Sequence, residues 1–257
     1  MNKVLIGHSG YVGSTLLKQT KFSDQYRSTN ISDIDGKFFE LVVCSAAPAQ
    51  KWLANKNPED DKKNIDTLIS HLDTIECDTF ILISTVDVFK SPINVDEHSD
   101  IDLSGLHPYG SNRYKLEQFV TNRFSKHLIV RLPGLVGPGL RKNIIFDLLN
   151  DNCLDQVDSN SVFQFYPMVN LWYDLTTALI SGEKLIHLTS EPVSVSDVAR
   201  LGFGKNFDNP ISNTPAKYDM KTRMAEIFGK PGSHTYSALE TFQAIRAYAQ
   251  SEPLSKK

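Results

Sequence analysis

Tyr109 and Arg113 stand four residues apart in Tyr109-Gly110-Ser111-Asn112-Arg113, one turn apart on a helix. A phenol and a permanent cation on one helix face make an activated proton donor when a redox cofactor lies beside them. An unperturbed tyrosine has a pKa of about 10 and exchanges its proton poorly near neutrality. A cation ~5 Å away, at an effective dielectric of ~20, favours the phenolate by roughly 3 kcal/mol, or ~two pKa units. Taken alone, such a pair is more often two polar residues on a solvated helix. The rest of the chain must supply the context.

That context begins at Gly7-His8-Ser9-Gly10-Tyr11-Val12-Gly13, which follows a strand pattern directly and opens a helical one. Gly7 allows a sharp turn, Gly10 lets a pyrophosphate approach the backbone, and Gly13 lets helix and strand pack closely. The exposed N–H groups at the helix start then face the phosphates. The glycines fall at positions one, four and seven, which differs from the G-x-G-x-x-G form. A dinucleotide is the expected ligand.

The elements that must position these residues read as an α/β chain. Strand-like runs cover Lys3–Ile6, Tyr26–Thr29, Glu40–Ser45, Thr79–Ser84 and Leu128–Leu132, and helical patterns fill Tyr11–Lys21, Pro58–Ile75 and Pro108–Phe124. This alternation predicts a Rossmann-like parallel sheet with helices on both faces over residues 1–135. Only about ten residues separate the second and third strands, too few for another strand–helix unit, so that half is trimmed. Residues 136–257 read as a small mixed α/β substrate lobe, with some later segments packing back on the core. Its helices are expected at Lys142–Asn150, Leu171–Ser181, Tyr218–Phe228 and Ser237–Ala249, with Ser194 capping another through Leu201. Its strands are expected at Ser161–Pro167 and Leu185–Leu188, Phe203–Pro215 is a loop, and Ser251–Lys257 is a frayed end.

Composition narrows the class of function. The 257 residues carry a formal net charge of −3, with 40% hydrophobic and 22% charged residues. No basic stripe is available for nucleic acid and no polybasic patch for a membrane. No apolar run reaches membrane-spanning length, and the N-terminus enters a strand without a signal-peptide layout, which makes the cytoplasm the expected compartment. Cys44, Cys77 and Cys153 are odd in number and widely spaced, so free thiols are expected. No cluster of Cys, His and carboxylates has metal-ligand spacing, and no metal is expected.

Glycine turn, then Thr85 at a strand end, then Tyr109 and a cation at 113 resemble the Gly-x-x-Gly-x-x-Gly, Ser/Thr and Tyr-x-x-x-Lys signature of the short-chain dehydrogenase/reductase superfamily. The likeness is to its extended, epimerase/dehydratase branch. Ser84-Thr85-Val86-Asp87-Val88-Phe89 is similar to the Ser-Thr-Asp-Tyr-Val-Phe of dTDP-4-dehydrorhamnose reductases. Asn94-Val95-Asp96-Glu97, Glu117 and Arg131-Leu132-Pro133-Gly134-Leu135-Val136-Gly137-Pro138-Gly139 also resemble that branch. The likeness covers roughly residues 3–200. The chain departs from the pattern at Arg113, where the family has lysine; arginine keeps the charge but its proton is effectively never released. Lys115 does not restore the motif, because it points away from the Tyr109 face. Val86-Asp87 stands in place of the dehydratases' Asp-Glu couple.

Position by position, the resemblance implies NAD or NADP held at its pyrophosphate by Gly7, Gly10, Tyr11, Val12 and Gly13. Asn30 falls where the adenosine ribose is read, with Arg27 and Ser28 near enough to meet a 2′-phosphate, which leans the cofactor toward NADP. Asp33 and Ile34 would contact adenine, Ala46, Ala47 and Pro48 would line the cofactor's middle, and Pro133 would face the nicotinamide. Tyr109 would exchange a proton with a sugar hydroxyl or carbonyl, Thr85 would hydrogen-bond the same oxygen, and Arg113 would hold the nicotinamide ribose and lower the tyrosine pKa. Asn143, Gln164 and Tyr166 are the candidate contacts to a nucleotide-sugar. Each also has a plain reading, as a helix start or a polar sheet face. The implied function is an NAD(P)-dependent oxidoreductase or epimerase on a nucleotide-linked sugar. The alternative is a non-catalytic NAD(P)-binding sensor of the same fold. Helices Pro58–Ile75 and Pro108–Phe124 match those that form a homodimer interface in the family.

Overall fold

Val4, Leu5, Ile6, Val42, Val43 and Cys44 are all fully buried. Such runs are apolar on both faces, as strands covered by helices on each side must be. They form the centre of the computed structural model, which describes residues 2–253; residues 254–257, most of the expected frayed end, lie outside it. In chain order come β1 (Lys3–Ile6), α1 (Tyr11–Gln19), β2 (Asp24–Tyr26), β3 (Phe38–Cys44), α2 (Lys51–Lys56), α3 (Pro58–Leu72) and β4 (Glu76–Thr85). Next are β5 (Ile93–Val95), α4 (Pro108–Arg123), β6 (His127–Leu132), β7 (Gly134–Val136) and α5 (Ile144–Asn150). The remainder is β8 (Val162–Phe163), β9 (Phe165–Pro167), α6 (Leu171–Ser181), β10 (Leu185–His187), β11 (Val193–Ser194), α7 (Val195–Asp197), β12 (Asp219–Met220) and α8 (Ala238–Ser251).

Among the described residues, six strands make the main sheet in the order β10-β6-β4-β3-β1-β2. It is the expected Rossmann-like parallel sheet, with β1 aligned on β3 from Lys3↔Leu41 to Ile6↔Cys44 and β3 on β4 from Phe38↔Glu76 to Cys44↔Leu82. Ile65, Leu68 and Leu72 of α3 and Leu116 and Val120 of α4 pack in one core with Val4, Ile6, Val42, Phe80 and Leu82. Pro58 opens α3, and Glu59, Asp60 and Asp61 fill its first turn, as the helix dipole favours.

Two compact units divide the chain. One contains the chain up to Lys90, His98–Arg131 and Trp172–Ile186; the other contains Ser91–Glu97, Leu132–Leu171 and the chain from His187 onward. In the second unit β5 pairs with β12, β7 with β9 and β8 with β11. Glu97 ties this unit together, accepting from the His187 N–H at 2.8 Å, the Thr222 hydroxyl at 2.6 Å and the Arg223 N–H at 2.9 Å.

Several boundaries differ from the sequence expectation, one for a local reason and the others for tertiary ones. The second strand ends at Tyr26, not Thr29, because Asn30 accepts from the Arg27 N–H and turns the chain into a 3-10 segment at Ile31–Ile34. The Ser161–Pro167 strand is two strands with different partners, broken at Gln164. The helix expected at Tyr218–Phe228 is absent: Asp219 and Met220 pair with Ile93 and Val95, and only Ala225–Phe228 makes a 3-10 turn. Short α2 and β5 were not anticipated.

Candidate active site

β3 lies between β1 and β4 in the parallel sheet, so the chain leaves all three strands at the same edge. This edge is where an open α/β sheet binds ligands. Gly7, just past β1, has φ +92°, and a Cβ there would stand 2.6 Å from the Ser45 carbonyl oxygen. A Cβ on Gly13 would stand 2.2 Å from the Gly7 carbonyl oxygen. Gly10 is different: its Cβ would meet only the Gly7 oxygen, at an ordinary 3.6 Å. The first and third glycines are required by the chain's own packing, whereas the second leaves its backbone open to an approaching group. Gly10 is also the N-cap of α1, without a side-chain cap and with no acidic residue in the first turn. The N–H groups of a helix start with no side-chain cap and no acidic residue fit a pyrophosphate.

The residues expected around the rest of a dinucleotide divide into two groups. Arg27 and Ser28 are exposed past β2, and Asp33 is exposed as well. Tyr11, Val12, Ala46 and Ala47 are half-buried beside the turn, and Pro48 is exposed. Ile34 is fully buried in the hydrophobic core, so its side chain packs the fold and has no face for adenine. Asn30 spends its amide locally, accepting from the Arg27 N–H at 2.8 Å and donating to the Gln25 carbonyl at 3.3 Å. It shapes the turn from which Arg27 projects.

Tyr109 sits in the first turn of α4, only 9% exposed. Three contacts place it. His107 caps α4 by accepting from the Gly110 N–H at 2.9 Å, and Asn55 of α2 accepts from the Tyr109 N–H at 3.1 Å. A Cβ on Gly110 would stand 2.1 Å from the Asp87 carbonyl oxygen, so glycine lets α4 press against the turn that follows β4. Thr85, the last residue of β4, lies within hydrogen-bonding reach of the phenol. Its hydroxyl also caps the Val86–Val88 turn, accepting from the Asp87 N–H at 3.1 Å.

Arg113 is not the freely presented cation that the sequence implied. It is 2% exposed and forks onto Asp61 of α3, with Nη2 donating to Oδ1 at 2.8 Å and Nη1 to Oδ2. Nη2 also donates to the Pro48 carbonyl and Nη1 to the Tyr109 carbonyl at 3.2 Å. The guanidinium stacks on the Tyr109 ring, 3.9 Å from its centroid. Both Nη groups are committed to protein acceptors and the charge to Asp61, while the buried Nε has no hydrogen-bond partner, so Arg113 supports Tyr109 in place of reaching for a ribose. Burial outweighs the lowering of the phenol's pKa that Arg113 exerts as expected. Burial pushes the Tyr109 pKa up; Arg113 opposes this, Asp87 adds to it, and Lys51 and the Thr85 hydrogen bond oppose it again. A buried phenol pays for desolvation of its anion, and a cation already paired cannot fully offset it.

The expected substrate residues belong to the second unit and are engaged there. Asn143 caps α5, accepting from the Ile145 N–H at 2.9 Å and donating to the Leu135 carbonyl at 2.8 Å. Gln164, 1% exposed, donates to Thr189 Oγ1 and to the Ser190 and Met220 carbonyls, and accepts from the Met220 N–H. Tyr166 is fully buried and packs edge-on to Tyr236, with ring centroids 5.6 Å apart. All three hold the unit together, and the plain reading of each is the one the geometry supports. Pro133 is buried in the same unit. Among the described residues no group of His, Cys, Asp and Glu could hold a metal, and no helix is long and apolar enough to cross a membrane.

No family model and no curated protein sequence matches the chain. Solved structures do. A dTDP-4-dehydrorhamnose reductase from Clostridium acetobutylicum aligns over 97% of this chain and 99% of its own, at 18% identity and a TM-score of 0.73. The enzyme of the same name from Bacillus anthracis, solved with NADP, aligns over 98% and 100% at 15% identity, again at 0.73. A UDP-glucose 4-epimerase from Thermotoga maritima, solved with UDP-glucose, aligns over 97% and 98% at 14% identity and 0.69. The chain has the fold of these enzymes.

Sequence reasoning passed over Asp61, Lys51, Asn55 and His107. Asp61 was hidden in the acidic first turn of α3, where nothing marks which of Glu59, Asp60 and Asp61 turns inward. Lys51 makes an ion pair with Asp87 at 2.7 Å. It lies on a six-residue helix too short to show periodicity. His107 was the findable one, since a polar residue followed by proline is a helix-start signal.

Proposed function

We propose that the chain is an NAD(P)-dependent oxidoreductase or epimerase acting on a nucleotide-linked sugar. The observation that carries this reading is the Thr85 hydroxyl beside the Tyr109 phenol, at the sheet edge that also bears the open Gly10 backbone. Gly7, Gly10 and Gly13 with the start of α1 hold the pyrophosphate. When bound, the nicotinamide supplies the hydride acceptor or donor. Tyr109 gives a proton to, or takes one from, the reacting oxygen of the substrate, and Thr85 hydrogen-bonds that oxygen and orients it. A phenol kept protonated by burial is suited to the donor role, that of a reductase. Arg113 positions the ring that carries the proton.

The sequence departs from the usual lysine at 113, and the buried Asp61 partner accounts for arginine there, since a planar fork serves a carboxylate better than an ammonium does. Arg27 and Ser28, exposed past β2 with no carboxylate at Asn30, support NADP over NAD. A cytoplasmic setting suits the three free cysteines. A homodimer through α3 and α4 belongs to the same reading.

The test is a binding screen of NAD(H) and NADP(H), each with and without a panel of nucleotide-sugars, on wild type and Tyr109→Phe. We expect both proteins to bind NADP(H) alike, and the variant to lose turnover by about a hundredfold or more. Equal turnover in the two would remove Tyr109 from the chemistry. Cofactor binding with no turnover on any sugar would leave a sensor of the same fold.

A further inference from the structure

A phenol that gives its proton away must be recharged before the next turnover, and Arg113 cannot recharge it. A guanidinium does not release a proton near neutrality, and this one is buried against Asp61. Another route leads outward from Tyr109. Its phenol lies within reach of the Thr85 hydroxyl. That hydroxyl lies 3.5 Å from Asp87 Oδ2, and Asp87 Oδ1 is paired with Lys51 Nζ at 2.7 Å. Exposure rises along the path, from 9% at Tyr109 to 17% at the Asp87 side chain and 38% at the Lys51 side chain. Lys51 therefore stands where a buried polar chain meets water.

We propose that Lys51 and Asp87 are the proton-supply residues of Tyr109, with Lys51 as the exchangeable cation that Arg113 cannot be. The inference rests on the reading of Tyr109 as the proton donor. The balance closes with one proton per turnover. The Tyr109 Oη–H bond breaks as an O–H bond forms on the substrate oxygen. The phenolate then takes the proton of Thr85 Oγ; Lys51 Nζ gives a proton to the Asp87 carboxylate, and the carboxyl so formed turns and passes that proton to Thr85 Oγ. The neutral amine takes its replacement from water or buffer, and no electrons move along the chain. In the oxidative direction every transfer reverses.

Two further features make the route a built one. α2 is fastened to the site at both ends, through Lys51 on Asp87 and through Asn55 on the Tyr109 N–H. Gly110 allows the α4 turn to touch the Asp87 backbone. The other groups around the phenol are unsuited to the task. Asp61 is consumed by Arg113, and His107 has its Nδ1 occupied as the α4 cap. Burial, and after it the Lys51 charge, keeps the His107 ring below its ordinary pKa. Lys51 and Asp87 are positioning residues, since both act through Thr85.

The experiment uses the whole chain and two readouts. The first is activity-free: exchange of the Tyr109 phenolic proton with solvent, followed on ζ-13C-tyrosine protein in mixed H2O and D2O and assigned with Tyr109→Phe. The second is turnover against pH with NADP(H) and the nucleotide-sugar panel. Lys51→Arg keeps the charge and the ion pair but releases no proton, whereas Lys51→Met removes both. We expect both variants to bind NADP(H) as wild type does and to slow phenolic exchange and turnover by about tenfold or more. Phenolic exchange in Lys51→Arg as fast as in wild type overturns the proposal even if turnover is normal. Slowed exchange in a protein that turns over no sugar supports the supply route and overturns the proposed function instead.

Discussion

Arg113 decides how the site works because its neighbours leave it nothing else to do. A buried ion pair is weak evidence for stability, yet removing one partner strands the other charge in low dielectric at a cost of roughly 3–5 kcal/mol. Arg113→Ala is therefore expected to lower the unfolding free energy by about that amount, and Asp61→Ala similarly. The double variant should lose much less than the sum, because neither charge is then orphaned. Urea denaturation of the four proteins closes the cycle; additive losses would show that the fork onto Asp61 is not formed. Arg113→Lys keeps a charge but gives up the second arm of the fork and the 3.9 Å stack on Tyr109. It should fall between wild type and alanine. The sequence announced the departure at 113 plainly. Its meaning was out of reach, because the partner lies 52 residues earlier in the chain on α3.

At the scale of the element, α4 shows why periodicity located the helix but misjudged its inner face. Tyr109, Gly110, Arg113, Leu116, Glu117 and Val120 are buried, so the inward stripe carries two ionised groups. A hydrophobicity pattern turns such residues outward. Arg113 is paired with Asp61, and Glu117 with Arg131 at 2.6 Å and with the Ser84 hydroxyl. The start of the helix carries a pH dependence. Burial, and after it the Lys51 charge, depresses the His107 pKa below its ordinary value of 6.5. The unfolded chain then takes up a proton near 6.5 that the folded cap refuses. His107 thus contributes stability present above that pH and lost as pH falls from 6.5 through the folded value. Asparagine caps a helix without titrating. His107→Asn should match wild type near pH 7 and fall off less steeply toward pH 5, read from urea midpoints across that range. His107→Ala should lose about 1 kcal/mol already at pH 7. A wild-type slope retained in the asparagine variant would take the acid dependence away from this cap.

For the molecule as a whole, the Rossmann-like sheet was legible because β1, β3, β4 and β6 are apolar runs that only a doubly covered parallel sheet can bury. The second unit was far less legible. Its strands run two or three residues, as at Val162–Phe163 and Asp219–Met220, and find partners distant in sequence. Buried polar networks such as that of Gln164 look like ligand sites until their donors are traced. Both units share an alkaline weakness. Burial pushes Cys44 up to about 11 and Cys77 up to about 12 in the first unit. In the second, burial foremost, then Glu252 and Asp147, pushes Tyr248 up to about 12. These acids stay neutral when folded and ionise sooner when unfolded. Their contribution is complete below the unfolded values, about 8.5 for cysteine and about 10 for tyrosine, and is lost as pH rises through the folded ones. Urea midpoints should therefore decline from about pH 8.5 upward and more steeply above about 10. Cys44→Ala should flatten the first part of the decline. Tyr248→Phe should flatten the second, at a cost near neutrality of about 1 kcal/mol, because the phenol donates to the Leu140 carbonyl at 3.0 Å. Midpoints of Tyr248→Phe that run parallel to wild type above pH 10 would mean that another group carries the alkaline loss.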